Sequence, residues 1–184
     1  MEMVIGPDFF NIKESSKIKF AVKPEDFEST GKTYHIKNLS DKIDMPDESV
    51  GFVLSTQVLE HVENPSEYLK EAHRILQKGG KLILSTHGYW MFHPDPTDYW
   101  RWTSTGLQKI VKEAGFEVVY FEGILGRSAM GLQLFQDGIL FKIPQPLRFI
   151  WAMIMQPLII FFDKIILSSS RNQDACTFIL VAKK

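Results

Sequence analysis

The chain is short of most of what would mark an extracellular, metal-rich or nucleic-acid-binding protein. It has one cysteine, Cys176, in 184 residues, which excludes an internal disulfide framework and suits a reducing cytoplasm. Its 21 Lys and Arg nearly cancel 22 Asp and Glu, leaving a net charge of −1, so the basic footprint that nucleic acid demands is missing. Cysteine and histidine do not cluster at metal-ligand spacing, and no metal is expected. No basic start followed by an apolar core is read at the N-terminus as a secretory signal. The glycines at 6, 31 and 51 stand alone. What is present is hydrophobic residue, 45% of the chain, enough for a single globular domain over residues 1–184 with a full core.

Residues 50–88, VGFVLSTQVLEHVENPSEYLKEAHRILQKGGKLILSTHG, carry the strongest local signals. Val50 to Leu54 and Lys81 to Ser85 are short apolar runs that do not alternate cleanly, as expected of strands buried on both faces. Between them Asn64 is placed to cap a helix, Pro65 fits its first position, and Glu67 completes a capping box. Tyr68, Leu69, Ala72, Ile75 and Leu76 recur at helical spacing, leaving Lys70, Glu71, Arg74 and Gln77 outward. Lys78 in the last turn and Gly79-Gly80 as a left-handed exit close the helix. The spacing predicts a strand–helix–strand unit of a parallel sheet, an architecture that binds ligands at the carboxyl ends of its strands.

Upstream, Glu2 to Ile5, Lys17 to Val22 and Thr33 to Ile36 are strand candidates punctuated by Gly6-Pro7, Lys23-Pro24 and Ser29-Thr30-Gly31. Downstream, an aromatic loop with two prolines runs from His87 to Trp102. Thr103 or Ser104 then starts a second helix with the face Leu107, Ile110, Val111 and Ala114, ended by Gly115. Phe116 to Phe121 and Thr177 to Ala182 read as strands. Between them lies an insertion, residues 123–173, whose segment Phe149 to Phe162 is apolar except for Gln156 and Pro157. That run is shorter than the ~20 residues of a spanning helix, and Pro157 is expected to split it into two short helices. Two readings follow. A helical subdomain packs on the domain or on a second copy, giving self-association, or a helical pair makes peripheral contact with a membrane. The first is the plainer, because the polar face of an interfacial helix is poorly developed.

The segment MPDESVGFVLSTQVLEHVENPSEYLKEAHRILQKGGKLILSTHG resembles the fourth strand, following helix and fifth strand of class I S-adenosylmethionine-dependent methyltransferases. The likeness is greatest to the small-molecule branch with a "VLEHV" turn. The continuation HPDPTDYWRWTSTGLQKIVKEAGFEVV is similar to a subgroup with an "H-x-P-x-D-Y-W-R" segment, whose members often look like enzymes of polysaccharide and other glycan pathways. The resemblance covers residues 44–122 and the final strand. It implies a Rossmann-like α/β fold: a mostly parallel sheet with helices on both faces, a final antiparallel strand, and the helical insertion before that strand. It also implies S-adenosylmethionine as cofactor.

Such enzymes open with a strand and a D-x-G-x-G-x-G-like loop that wraps the cofactor at a helix amino end. This sequence contains no such loop. In the family that strand lies at the centre of the sheet, so either residues 1–30 fill the role in altered form or the chain is a truncated version of a longer enzyme. Asp8 and Glu25 are weak candidates for the acidic residue that holds the ribose. Gly51 replaces the usual Asp that opens the fourth strand. An alignment with one inserted residue places Asn38, followed by Leu39, where the family often has an Asp near adenine.

Ser55, Thr56 and Gln57 end the fourth strand and are the remaining cofactor-binding candidates; by resemblance Gln57 lines the methionine end of the pocket. Glu60 and His61 lie in the "LEHV" turn, and His61 is read as holding that turn. In the loop after the fifth strand, His93 is the first choice for the base that takes the acceptor's hydroxyl proton. Asp98 would orient it or bind substrate, and Arg101 would pair an anionic substrate group. His87, Trp90 and Tyr99 are substrate-binding candidates, the aromatics as faces for a sugar. The plainer alternative is a proline-braced loop tied down by an Asp98–Arg101 pair, with its tryptophans in the core. The functional expectation is a methyltransferase for a small molecule, such as a glycan or lipid-linked sugar hydroxyl, in the cytoplasm, with either self-association or peripheral membrane contact through residues 123–173. Its competitor is a degenerate, non-catalytic scaffold of the same fold that no longer binds cofactor.

Overall fold

The computed structural model describes residues 3–6, 34–36, 43, 45–94, 97–140, 142–165 and 167–184. Six strands form one sheet in the order β2-β1-β3-β4-β6-β5: β1 Met3–Gly6, β2 Tyr34–Ile36, β3 Val50–Thr56, β4 Leu76–His87, β5 Glu117–Gly126 and β6 Ala175–Lys183. β3 and β4 pair in parallel, whereas β6 is antiparallel to both β4 and β5. β2, β3, β4 and β5 therefore share one direction, which is the mostly parallel α/β sheet with an antiparallel final strand that the sequence implied. The central slot beside β3 is filled by β1, and it runs antiparallel to β3. The strand candidate Lys17 to Val22, the turns around it, Asp8, Glu25, Asn38 and Leu39 lie outside the described residues.

α1, Pro65–Ile75, forms as its caps dictate, with the Asn64 side chain accepting the Glu67 amide and Pro65 in the first turn. It ends earlier than the sequence pattern suggests. Leu76, Gln77 and Lys78 belong to β4, because the last carbonyls of α1 are satisfied from outside the helix. Glu48 and Ser49 amides donate to the Arg74 and Ile75 carbonyls at 3.0 and 2.8 Å, and the Lys184 ammonium donates to the Leu76 carbonyl at 2.7 Å. Leu76 is fully buried and pairs with Val50. Gly79 does take the expected left-handed conformation (φ 78°), but as a break within β4 and not as the helix exit.

α2, Ser104–Glu113, is capped by the Thr103 hydroxyl, which accepts the Gly106 amide. α1 and α2 bury Leu69, Ala72, Ile75, Leu107 and Val111 in one cluster with Val53, Leu82, Leu84 and Leu180. The strand registers place those four sheet residues on one face.

Three helices separate β5 from β6: α3 Arg127–Leu140, α4 Gln145–Ile165 and α5 Ser168–Gln173. α4 is one continuous helix with Pro157 inside it, contrary to the expected split. Its base is tied to the end of β5. Asp163 accepts the Gly126 amide at 2.9 Å and pairs with Arg171, and Asn172 accepts the Gly123 amide at 2.9 Å. Gly123 is required there, since a Cβ would sit 2.1 Å from the Arg171 carbonyl oxygen. α3 and α4 share only a small core, Ala129, Met155 and Ile159, and most of α4 is exposed.

Arg74 joins α1 to the segment before β3, donating to the Ile43 and Met45 carbonyls, Asp47 and Glu71 at 2.6–2.9 Å. Arg74→Ala is expected to cost about 2 kcal/mol through these charge-assisted bonds, measured as a lower midpoint in urea with an unchanged slope.

Candidate active site

The site is built on two adjacent strand ends. β3 delivers Ser55, Thr56 and Gln57 to the carboxyl edge of the sheet, and β4 delivers Ser85, Thr86 and His87 beside them. Ser55 is fully buried, and its hydroxyl accepts the Tyr68 hydroxyl at 2.7 Å, which directs it into the core below α1. Thr56 is exposed. Gln57 is the unusual member. Its backbone is left-handed (φ 53°), a conformation that costs a non-glycine residue of order 1–3 kcal/mol and is found where function over-determines geometry. Its amide donates to the Ser85 carbonyl (2.9 Å), its side-chain nitrogen reaches the Ser85 hydroxyl (3.2 Å), and its buried Oε1 has no hydrogen-bond partner among the described residues.

The helical turn Leu59–His61 follows. Glu60 is fully buried. One carboxylate oxygen accepts the Thr86 hydroxyl at 2.8 Å, and the other stands 3.1 Å from His87 Nδ1. Burial pushes the Glu60 carboxyl above its ordinary range, against the opposing pull of its hydrogen bonds. The Glu60 carbonyl accepts the Tyr99 and Trp100 amides at 2.8 and 3.2 Å, His61 Nδ1 is hydrogen-bonded to the Thr97 carbonyl, and the Trp100 indole donates to Val62. His61 therefore holds the turn as the sequence suggested. Glu60, read there as part of the turn alone, also presents its carboxylate to the loop histidines.

The loop after β4 brings His87 and His93 together, Nδ1 to Nε2, at 3.3 Å. Burial, then the neighbouring His93 and Arg101, pulls His87 down to about 4, so it is neutral at physiological pH. Trp90 stacks on the His87 ring with centroids 5.8 Å apart. Tyr99 is exposed, and Trp100 and Trp102 stack on each other.

Asp98 and Arg101 are engaged with the loop itself. They form a two-pronged pair at 2.5 and 2.6 Å; Asp98 also accepts the His93 amide at 2.8 Å, and Arg101 donates to the Trp90 carbonyl at 2.9 Å. Asp98 meets the backbone of His93 and not its ring, so it fixes where His93 sits. Arg101 beside it holds the Asp98 carboxyl far below the usual carboxylate range.

With this geometry in hand, comparison with known proteins gives a consistent result. Residues 15–84 match the family described as a methyltransferase domain. A probable S-adenosylmethionine-dependent methyltransferase of Mycolicibacterium smegmatis is 31% identical over 83 residues, covering 42% of this chain and 32% of that protein. Each of these two matches covers less than half of this chain, and both are to methyltransferases. The chain spans about a third of the length of that relative. An S-adenosylmethionine-dependent methyltransferase of Mesorhizobium loti shares the fold, with a TM-score of 0.52 and 15% identity over 85% of this chain and 71% of the other.

Asp98→Asn should loosen the loop and cost about 2 kcal/mol near neutral pH, since it removes one side of a charge-assisted pair. Because the folded-state affinity of Asp98 for protons is depressed, its contribution is full above the unfolded value of about 4 and is lost as pH falls further. Thermal melts of both proteins should therefore differ at pH 7 and converge toward pH 2.

Proposed function

We propose that the chain forms the acceptor side of an S-adenosylmethionine-dependent methyltransferase whose acceptor is a small-molecule hydroxyl. The observation that carries this reading is the convergence of Glu60, His87 and His93 at the carboxyl ends of β3 and β4, beside the strained Gln57. Open α/β sheets bind ligands at this edge. Methyl transfer needs an oxygen aligned in line with the sulfonium methyl and a group to relieve it of its proton. The histidine cluster, with His93 its half-exposed member, supplies the second need, and Gln57 faces the cofactor.

The exposed surface supports a glycan or lipid-linked sugar as acceptor class. Phe92 and Tyr99 stand exposed on the same loop. The helical hairpin rises from the same sheet edge. Arg127 at its base pairs with Asp174, which also accepts the Tyr89 hydroxyl at 3.3 Å. α4 is long and apolar enough to cross a membrane by length and composition, and Phe149, Met153, Ile154 and Phe161 are all more than half exposed. A membrane surface in contact with α4, reached from the cytoplasm, would bring a lipid-linked acceptor to the loop. The full chain should co-sediment with liposomes, and a Phe149→Asp, Phe161→Asp double variant should not. Wild type remaining in the supernatant with both neutral and anionic lipid would end the membrane reading.

The scaffold reading retains two specific supports: β1, beside β3, runs opposite to it, and this sequence has no Gly-rich loop. Calorimetry with S-adenosylmethionine and S-adenosylhomocysteine separates the two. Binding is expected, with Gln57→Ala and Asn38→Ala each about tenfold weaker, or roughly 1.4 kcal/mol. Absence of heat up to roughly millimolar ligand, the weak end of specific binding, would favour the scaffold.

A further inference from the structure

The Glu60–His87–His93 cluster has a feature that a hydrogen-bonded chain does not explain. His87 Nδ1 stands 3.1 Å from Glu60 Oε1 and 3.3 Å from His93 Nε2. One ring nitrogen carries one proton or one lone pair, so it can serve one of these neighbours and not both. Among the described residues Glu60 Oε1 has no hydrogen-bond partner, inside a fully buried side chain, a situation that is expensive unless something else meets it. The three atoms all lie within 4.8 Å of one another. Ligands about 2.0–2.2 Å from a tetrahedral cation are roughly 3.4 Å apart, close to the two separations seen.

An independent observation points to the same place. His61 is 2% exposed at its side chain, and its Nδ1 is taken up by the Thr97 carbonyl. That contact makes Nδ1 the donor to the carbonyl and turns Nε2 inward. Nε2 is buried, has no hydrogen-bond partner among the described residues, and stands 3.9 Å from Glu60 Oε1, with its ring edge-on to His93 at 4.9 Å. A ring nitrogen held by a backbone carbonyl while the other faces inward is how metal-binding histidines are usually oriented.

We propose that Glu60, His87 and His93, with His61 at their side, bind one divalent transition-metal cation of the zinc class. Two imidazoles and a carboxylate form a catalytic zinc set that leaves a position open for an oxygen ligand. The absence of metal-ligand spacing in the sequence is no obstacle, since the ligands come from a turn, a strand end and a loop. The catalytic role rests on the methyl-transfer reading; the binding itself does not. In that role His93 no longer serves as the base, because its ring nitrogen would hold the cation; the acceptor hydroxyl would bind the cation and give its proton to solvent water. Its oxygen lone pair then forms the C–O bond as the C–S bond breaks, and the bonding pair returns to sulfur, leaving a neutral thioether.

The test uses the full chain stripped with chelator and titrated with Zn²⁺ by calorimetry and with Co²⁺ by visible absorption. One cation per chain is expected, with Co²⁺ bands that reveal nitrogen and oxygen ligands. His93→Ala, at a half-exposed position, and Glu60→Gln, which keeps the shape, should each weaken binding roughly tenfold or more, in line with the sensitivity of metal sites to their shells. His73→Gln, remote from the cluster, should bind like wild type, and circular dichroism confirms that each variant is folded. No stoichiometric uptake by wild type, or uptake unmoved by both His93→Ala and Glu60→Gln, overturns the proposal. Because S-adenosylmethionine is absent from these titrations, a chain that binds cofactor but no cation refutes the metal site alone. A chain that binds the cation but not the cofactor supports the site and counts against methyl transfer.

Discussion

The carboxylate of Glu60, enclosed without any solvent exposure at the junction of β3 and β4, is the constraint on which the site depends. A buried carboxylate costs several kcal/mol unless its oxygens are met, and everything near it is arranged around that cost. Thr86 meets one oxygen and His87 approaches the other. The same residue's carbonyl anchors the loop through the Tyr99 and Trp100 amides. The side chain and the backbone of one residue thus set the polar centre of the site and the path of the loop that covers it. Asp98 and Arg101 complete the fixation from the far side, so that His93 is held by its own amide while its ring turns toward His87.

The parts legible in the sequence were those whose causes are local. The caps of α1 and α2 lie within three residues of the groups they satisfy, and both formed. The Asp98–Arg101 pair is likewise three residues apart, and it was readable as a brace for the loop. The end of α1 was misread because its last carbonyls are met by Glu48, Ser49 and Lys184, from far along the chain. The cluster of Glu60, His87 and His93 was only half legible for the same reason. His87 and His93 are near neighbours, but Glu60 joins them through a strand crossover, and no spacing rule registers that contact. Pro157 shows the converse. Its local cost is real, yet α4 runs through it unbroken.

The insertion gives α4 a position as well as a hydrophobic surface. Asp163, Arg171 and Asn172 fasten its base and α5 to the end of β5, while Gly88 and Tyr89 at the start of the loop donate to the Cys176 and Ala175 carbonyls of β6. The hairpin and the loop are therefore joined through one strand end. A helix that merely completed the core would bury more than the narrow strip around Met155 and Ile159. An apolar surface this continuous calls for a covering, and its attachment places that covering beside the site.

The reversed β1 bears directly on how a cofactor would be gripped. Met3 pairs with Ser55 and Gly6 with Phe52, so the chain reaches Gly6 at the edge of the sheet remote from Gln57 and His87. β2 behaves oppositely. Ile36 pairs with Met3 and Tyr34 with Ile5, so β2 runs in the direction of β3 and ends at the site edge, two residues before Asn38. Among the described residues β1 fills the slot beside β3. Retaining the slot keeps β3 from becoming an open edge, which is reason enough for a strand there in either direction. Binding, by contrast, depends on direction, because only strand carboxyl ends open onto the crevice.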